Sequence, residues 1–192
     1  GMLKEIKSIS KLNISIQSIR QGEAKGLGHA ILCAKRLIGT EPFAIILPDM
    51  IISKKNGNAG ASLKEMRINY EKNKISSMLF GKAKKADISK YGIAQIKNNF
   101  QLPGLGLVEK IIEKPSIKKA PSNFYAVGRY IFKNNFFEYL SKAHPDKLNE
   151  IQLTDAIDNY IKDNNKVSAF SLDGEIFDCG DPAKYILANL EF

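Results

Sequence analysis

Short apolar runs of strand length alternate along the chain with segments of helical period, and that alternation restricts the fold more than any other feature. Residues 13–18 alternate through Ile14 and Ile16, which predicts a strand. Residues 26–37 place Leu27, Ile31, Ala34 and Leu37 on one face, with Gly39 just beyond, which predicts a helix and its stop. Phe43-Ala44-Ile45-Ile46-Leu47 is continuously apolar and closed by Pro48, the pattern of a strand buried on both faces. Ser62-Leu63-Lys64-Glu65 opens a helix at 62–74 in capping-box form. Further strands are expected at 75–80, 92–96, 107–113, 124–132, 167–172 and 175–177. Further helices are expected at 134–143, 150–164 and 182–190, with polar or turn-rich loops at 54–61 and 97–106. The expected class is α/β, with a mixed, mostly parallel central sheet. A chain of 192 residues suits a single domain over 1–192 with a core that needs no disulfide or metal staple.

Charge narrows the function classes. The net charge is +9, and it is uneven: residues 1–96 carry 17 basic and 7 acidic side chains, residues 97–192 carry 12 and 13. A basic half invites a nucleic-acid reading. Against it, 25 of the 29 basic residues are lysines, and they are spread along the chain among 25 isoleucines and 15 asparagines. That is a compositional drift and a solvated lysine surface, with some charge left to face a polyphosphate ligand. Nucleic acid is therefore not expected as a partner. No apolar run approaches the roughly 18 residues of a membrane span, so no membrane role is expected. Two cysteines, Cys33 and Cys179, are too few for a disulfide framework and suit a reducing cytoplasm. Gly1 before Met2 reads as a residue left by tag cleavage, which makes Met2 the first encoded residue.

Four stretches carry residues suited to chemistry. Arg20 to Ala30 is glycine-rich, follows a predicted strand and opens a helix, where free N–H groups and bare backbone can meet a ligand; tight strand–helix turns also need glycine. Asp49 follows the apolar run at the carboxyl end of a strand, where open α/β sheets place ligands, although turn aspartates are common. Asp178, in Phe177-Asp178-Cys179-Gly180-Asp181, repeats the theme far downstream. Two such carboxylates, if they converge, make an oxygen-rich Mg²⁺ site suited to phosphate chemistry. Ile112-Glu113-Lys114-Pro115 ends another strand; Glu113 and Lys114, adjacent on a strand, are expected to point to opposite faces. His29 and His144 lack metal-ligand spacing, and His29 reads as a structural residue on its helix. No CxxC, GxSxG or HExxH is present, so structural zinc and hydrolase triads have no support.

In this order the pieces resemble the bacterial UTP–glucose-1-phosphate uridylyltransferases. The resemblance is carried by Arg20-Gln21 through Ala30, Leu47-Pro48-Asp49, Tyr91-Gly92, Glu113-Lys114-Pro115, Ala120 to Asn123 with Val127-Gly128-Arg129-Tyr130, Glu150 to Ile157, and Asp178-Cys179-Gly180. It implies a Rossmann-like nucleotidyltransferase domain and transfer of UMP from UTP to glucose 1-phosphate, giving UDP-glucose and pyrophosphate. It implies Gln21 and Gly26 as contacts of the nucleotide base, and Asp49 and Asp178 as Mg²⁺ ligands. It implies Gly92 and Glu113 as contacts of the glucose hydroxyls, and Lys114 as the cation on the sugar phosphate. Glu150 to Ile157 is expected to serve mainly in packing. A sugar phosphate is largely dianionic at neutral pH, because its second pKa is about 6. It needs no histidine base, only alignment and charge neutralisation.

The sequence departs from the family in one respect: it contains no glycine-rich segment of the GxGTRxxP kind, which wraps the triphosphate. The expectation is an N-terminally truncated or split domain, inactive alone, that associates as a homo-oligomer or with a complementing N-terminal polypeptide. The alternatives are a relative using dTTP or another sugar 1-phosphate, and a non-catalytic remnant that binds sugar phosphate or a partner chain.

Overall fold

The structure, a computed structural model, describes residues 11, 14–53, 60–98 and 104–191. Most of the expected 54–61 and 97–106 loops therefore lie outside the described residues. The first helix, α1 (Gly26–Cys33), breaks at Ala34 and resumes as the single turn α2 (Lys35–Ile38), closed by Gly39 at φ 63°. Strand β1 (Phe43–Ile46) and β2 (Met50–Ser53) follow, then α3 (Ala61–Asn73) and β3 (Ser76–Lys82). A 3₁₀ turn at Lys85–Lys90 leads to β4 (Ile93–Lys97), β5 (Gly106–Ile112) and the nine-residue β6 (Phe124–Phe132). The chain ends through α4 (Phe136–Lys142), α5 (Leu153–Lys162), β7 (Val167–Ser171), β8 (Glu175–Asp178) and α6 (Pro182–Glu191).

Six strands form one sheet in the order β1-β6-β3-β7-β5-β4, and β2 pairs with β8 in a second, two-stranded sheet. The α/β class and the mixed sheet are as expected, but the pairing is not mostly parallel. Among the described residues only β3–β7 is parallel; every other pair is antiparallel. The reason is connectivity. Helix-length crossovers are what parallel neighbours need, and between β3 and β6 the described connections contain a 3₁₀ turn but no α-helix.

Four local expectations change as well. The 13–18 segment forms no strand over its described part: residues 14–20 have no sheet partner, and Ile14 and Ile16 are exposed. Alternation marks a strand only where a sheet accepts one face, and here none does. Strand β1 is not buried on both faces. Phe43 and Ile45 point into the core while Ala44 and Ile46 are exposed, so β1 is covered on one face only. Ser62 is no cap: α3 begins at Ala61, and Ser62 is buried within its first turn. Helix α5 starts at Leu153 rather than 150, since the backbone of Ile151 is committed to α1, with its N–H on Lys25 O (2.8 Å) and its carbonyl accepting Gly28 N–H (2.9 Å).

Helices cover both faces of the sheet. On one side, α1, α4 and α5 pack over Phe43, Met78, Tyr130 and Phe132; on the other, α3 packs over Leu79, Val127 and Ile131. The alternation of partners along β6 and β3 is the period-two rule of a pleated strand. The first core is largely aromatic. Phe132 stacks on Phe136 at 3.9 Å between centroids, and Tyr160 meets both rings edge-on. No helix among the described residues is long and apolar enough to cross a membrane.

One topological detail creates a cleft. β3 lies along one edge of β6, so β1 and β4 share the other. β1 takes residues 129–132 of that edge and β4 takes 124–125. Between them the two strands part: the last contacts are Leu47 N–H on Gly128 O (2.9 Å) and Ala126 N–H on Gly92 O (3.0 Å).

Candidate active site

The cleft is a cavity of about 280 Å³, lined by Leu47, Asp49, Tyr91, Gly92, Glu113, Lys114, Ala126, Gly128, Thr154 and Asp178 among others. Five of the seven residues singled out from the sequence thus meet in one place, although they come from four separate stretches of chain.

The two aspartates are brought together by the small sheet. Register places Met50 opposite Asp178, and Asp49 O accepts Cys179 N–H at 2.7 Å, so the residue before β2 sits beside the end of β8. A Cβ on Gly180 would lie 3.2 Å from Asp178 Oδ1 and 3.9 Å from Asp49 Oδ2, so these two oxygens are within about 7 Å of each other. Arg129 holds the Asp49 turn from below. Its guanidinium donates to Leu47 O (2.9 Å) and Met50 O (2.6 Å), the carbonyls that bracket Pro48-Asp49, and to Gly128 O (3.1 Å). Burial pulls the Arg129 pKa down and the neighbouring Asp49 charge opposes that shift. Asp178 is oriented by Gly180 N–H on Oδ1 (3.2 Å) and by the Tyr91 hydroxyl on Oδ2 (2.9 Å). Burial first, and then the Asp178 carboxylate, hold the Tyr91 hydroxyl protonated far above its ordinary range. Tyr91 in turn packs on Tyr125 at 4.7 Å, whose hydroxyl burial pushes up to about 12.

Glu113 and Lys114 both line the cavity, contrary to the expectation of opposite faces. Strand β5 ends at Ile112, and Lys114 takes a left-handed φ of 41° with its N–H on Tyr91 O (3.1 Å), so strand alternation no longer applies. Glu113 Oε2 accepts the hydroxyl of Thr154 at 3.1 Å, which aims the carboxylate. Gly92 has no room for a side chain, since a Cβ there would meet Thr154 Cγ2 at 2.8 Å and Glu113 Oε2 at 3.3 Å. Helix α5 therefore does more than pack. Leu153, Ala156, Ile157 and Tyr160 fill the core, while Gln152 and Thr154 face the cleft.

Gln21 and Gly26 are not in the cavity wall; Leu27 is. They form an adjoining corner in which Gln21 Nε2 donates to Gly26 O (3.1 Å) and lies 2.9 Å from His29 Nδ1. Gly26, at φ 83°, is pressed against the chain at Glu150 and Ile151, where a Cβ would come within 2.9–3.0 Å of neighbouring atoms. The Gly28 N–H of this turn is satisfied by Ile151 O, so it is not a free donor for a ligand.

Chemically the cleft offers three carboxylates and a lysine, with Asp49 close to Asp178 and Glu113 close to Lys114. Hard oxygen ligands suit Mg²⁺. Among the described residues no three His, Cys, Asp or Glu side chains converge, so a cation between Asp49 and Asp178 needs further oxygens from a bound phosphate or water. Sequence reasoning did not single out Thr154 and Arg129 as positioning groups, because a hydrogen bond across 41 positions or to backbone carbonyls 82 positions away leaves no local pattern.

The nucleotidyl transferase family model matches residues 1–192. UTP–glucose-1-phosphate uridylyltransferase of Haemophilus influenzae is 39% identical over 194 residues, covering all of this chain and 65% of that protein. The enzyme of the same name from Escherichia coli K12 is 37% identical, with 63% of its length covered. This chain thus spans just under two thirds of these curated relatives. A crystal structure of UDP-glucose pyrophosphorylase complexed with UDP-glucose superposes with a TM-score of 0.88 at 36% identity, over 99% of this chain and 70% of that one. A UTP-bound structure of the Acinetobacter baumannii enzyme superposes with a TM-score of 0.83 at 32% identity, covering 99% and 64%.

Proposed function

We propose that this chain, which belongs to the nucleotidyl transferase family, carries the acceptor and cation half of a UTP–glucose-1-phosphate uridylyltransferase site, within a single domain over 1–192. The reaction is attack of a glucose 1-phosphate oxygen on the α-phosphorus of UTP: the new P–O bond gives UDP-glucose, and the bond to the β-phosphate breaks to release pyrophosphate. The observation that carries the reading is the parting of β1 and β4 on one edge of β6, where Asp49, Asp178, Glu113 and Lys114 line one cavity.

Glu113, aimed by Thr154, accepts hydrogen bonds from glucose hydroxyls, and the bare backbone of Gly92 lets the ring approach. Lys114, paired to Glu113 at 3.7 Å and largely exposed, is free to turn to the sugar phosphate and offset its repulsion from the triphosphate. Asp49 and Asp178 would hold Mg²⁺, which supplies charge neutralisation on the phosphates. Gln21 and Gly26 lie where a base edge could replace their mutual hydrogen bond. Cys33 and Cys179, both free thiols, support placing the protein in a reducing cytoplasm.

Glu113→Ala is expected to weaken glucose 1-phosphate binding by about 1.5–3 kcal/mol, roughly 10- to 150-fold, for the loss of charge-assisted hydrogen bonds. Titration calorimetry reads this directly, and equal affinities for the two proteins would discard the sugar-side assignment. The function itself is tested by pyrophosphate release, with the chain supplemented by a polypeptide bearing a GxGTRxxP segment. UTP with glucose 1-phosphate is expected to outrun dTTP or other sugar 1-phosphates, and Asp49→Asn and Asp178→Asn to abolish release. Glucose 1-phosphate binding with no release under any pairing would instead favour a non-catalytic sugar-phosphate binder.

A further inference from the structure

Lys184 belongs to none of the sequence motifs, yet its side chain reaches the site. It lies in the first turn of α6, whose backbone N–H groups at Ala183 and Lys184 are taken by Asp181 Oδ1 at 3.0 and 3.3 Å. A helix start carries partial positive charge, so a lysine there works against the helix dipole. The side chain does not turn away to solvent. Its ammonium donates to the Tyr91 hydroxyl at 2.8 Å, lies 5.6 Å from the Tyr91 ring centroid, and stands 4.0 Å from Asp178 Oδ2. The same Tyr91 hydroxyl donates to Asp178 Oδ2. Tyr91 thus receives from Lys184 and gives to Asp178, and only a third or less of either charged side chain is exposed. The neighbouring Lys90 is engaged elsewhere, by Asp87 at 2.9 Å.

We propose that Lys184 is a built-in counter-cation for Asp178, which offsets the charge of that carboxylate and weakens its hold on a divalent ion that binds without nucleotide. The inference rests on the reading of Asp49 and Asp178 as a cation site. Its consequence is coupling. A divalent ion arriving alone meets a positive charge a few ångströms away, whereas one arriving with a polyphosphate brings anionic oxygens that offset both charges. Lys184 thereby favours binding of the ion together with the nucleotide over binding of the ion alone.

The test uses Mn²⁺ as the probe, with free ion followed by electron paramagnetic resonance in titrations of the chain without nucleotide. Lys184→Met is expected to tighten Mn²⁺ binding on the order of tenfold, from loss of a unit charge at short range. Lys184→Arg keeps the charge and is expected to stay within about twofold of the unsubstituted chain. The gap between the methionine variant and the unsubstituted chain should shrink as salt is raised. Unchanged or weaker Mn²⁺ binding by Lys184→Met overturns the proposal while leaving the cation site standing. Mn²⁺ binding that Asp178→Asn fails to weaken removes the cation site itself, and the role of Lys184 with it.

Discussion

Replacing Phe132 with alanine is expected to destabilise the protein by about 3–5 kcal/mol, the usual range for deleting a fully buried aromatic ring. Phe132 is the last residue of β6 and is completely buried. Its ring stacks on Phe136 and lies 6.4 Å from Phe43 and 6.0 Å from Tyr130 and Tyr160, so its removal leaves a void that four other rings border. The loss also bears on the site, because the same strand pairs with β1 and so anchors the turn that carries Asp49. Domains of this size are stable by only about 5–15 kcal/mol in total, so the variant should unfold at much lower urea. Phe132→Leu keeps most of the volume and is expected to lose less than half as much. Urea midpoints measured for both variants decide it: a Phe132→Ala loss below about 1 kcal/mol would mean the rings repack around the gap.

The second large effect concerns catalysis. The 192 residues alone are expected to release pyrophosphate from UTP and glucose 1-phosphate at least about 100- to 1,000-fold more slowly than when a GxGTRxxP-bearing polypeptide is added, since loss of even one pre-placed donor to a developing charge has that effect. The sequence contains no such segment. The lysines near the cavity do not replace it: Lys184 is held by Tyr91, Lys90 by Asp87, and Lys114 stands at the Glu113 end. Among the described residues β1 has a partner on one edge only, and its other edge offers an added strand a place to pair, which gives the polypeptide a means of docking. Robust release from the chain alone would defeat the expectation. Release only on mixing would establish a complementing pair.

Much of the fold was legible wherever a local period coincided with burial. Helix α5 announces itself through Leu153, Ala156, Ile157 and Tyr160, all of which enter the core. Strand β6 is rich in aromatic and β-branched residues, and its expected bounds, 124–132, are those observed. The segment around Ile14 shows how this fails: its alternation is as good as that of a strand, but no sheet edge receives it.

What the sequence by itself determined was most of the elements, though not β2, and the residue types suited to phosphate chemistry: Asp49 after β1, Asp178 as the last residue of β8, and Glu113-Lys114 after β5, each at or just past the end of a strand. The tertiary structure alone decided which of them meet. Strand direction depends on how the connections run, not on the residues within each strand, and so the antiparallel course of β6 had no local signature. That course lets β1 and β4 share one edge and part over Ala126 to Gly128, opening the cavity. The pairing of β2 with β8 then joins two aspartates 129 positions apart, and the left-handed turn at Lys114 swings two neighbouring side chains to one side. The grips of Thr154 on Glu113, Arg129 on the Asp49 turn and Lys184 on Tyr91 came last, because each rests on long-range hydrogen bonds whose partners carry no mark of one another in the chain.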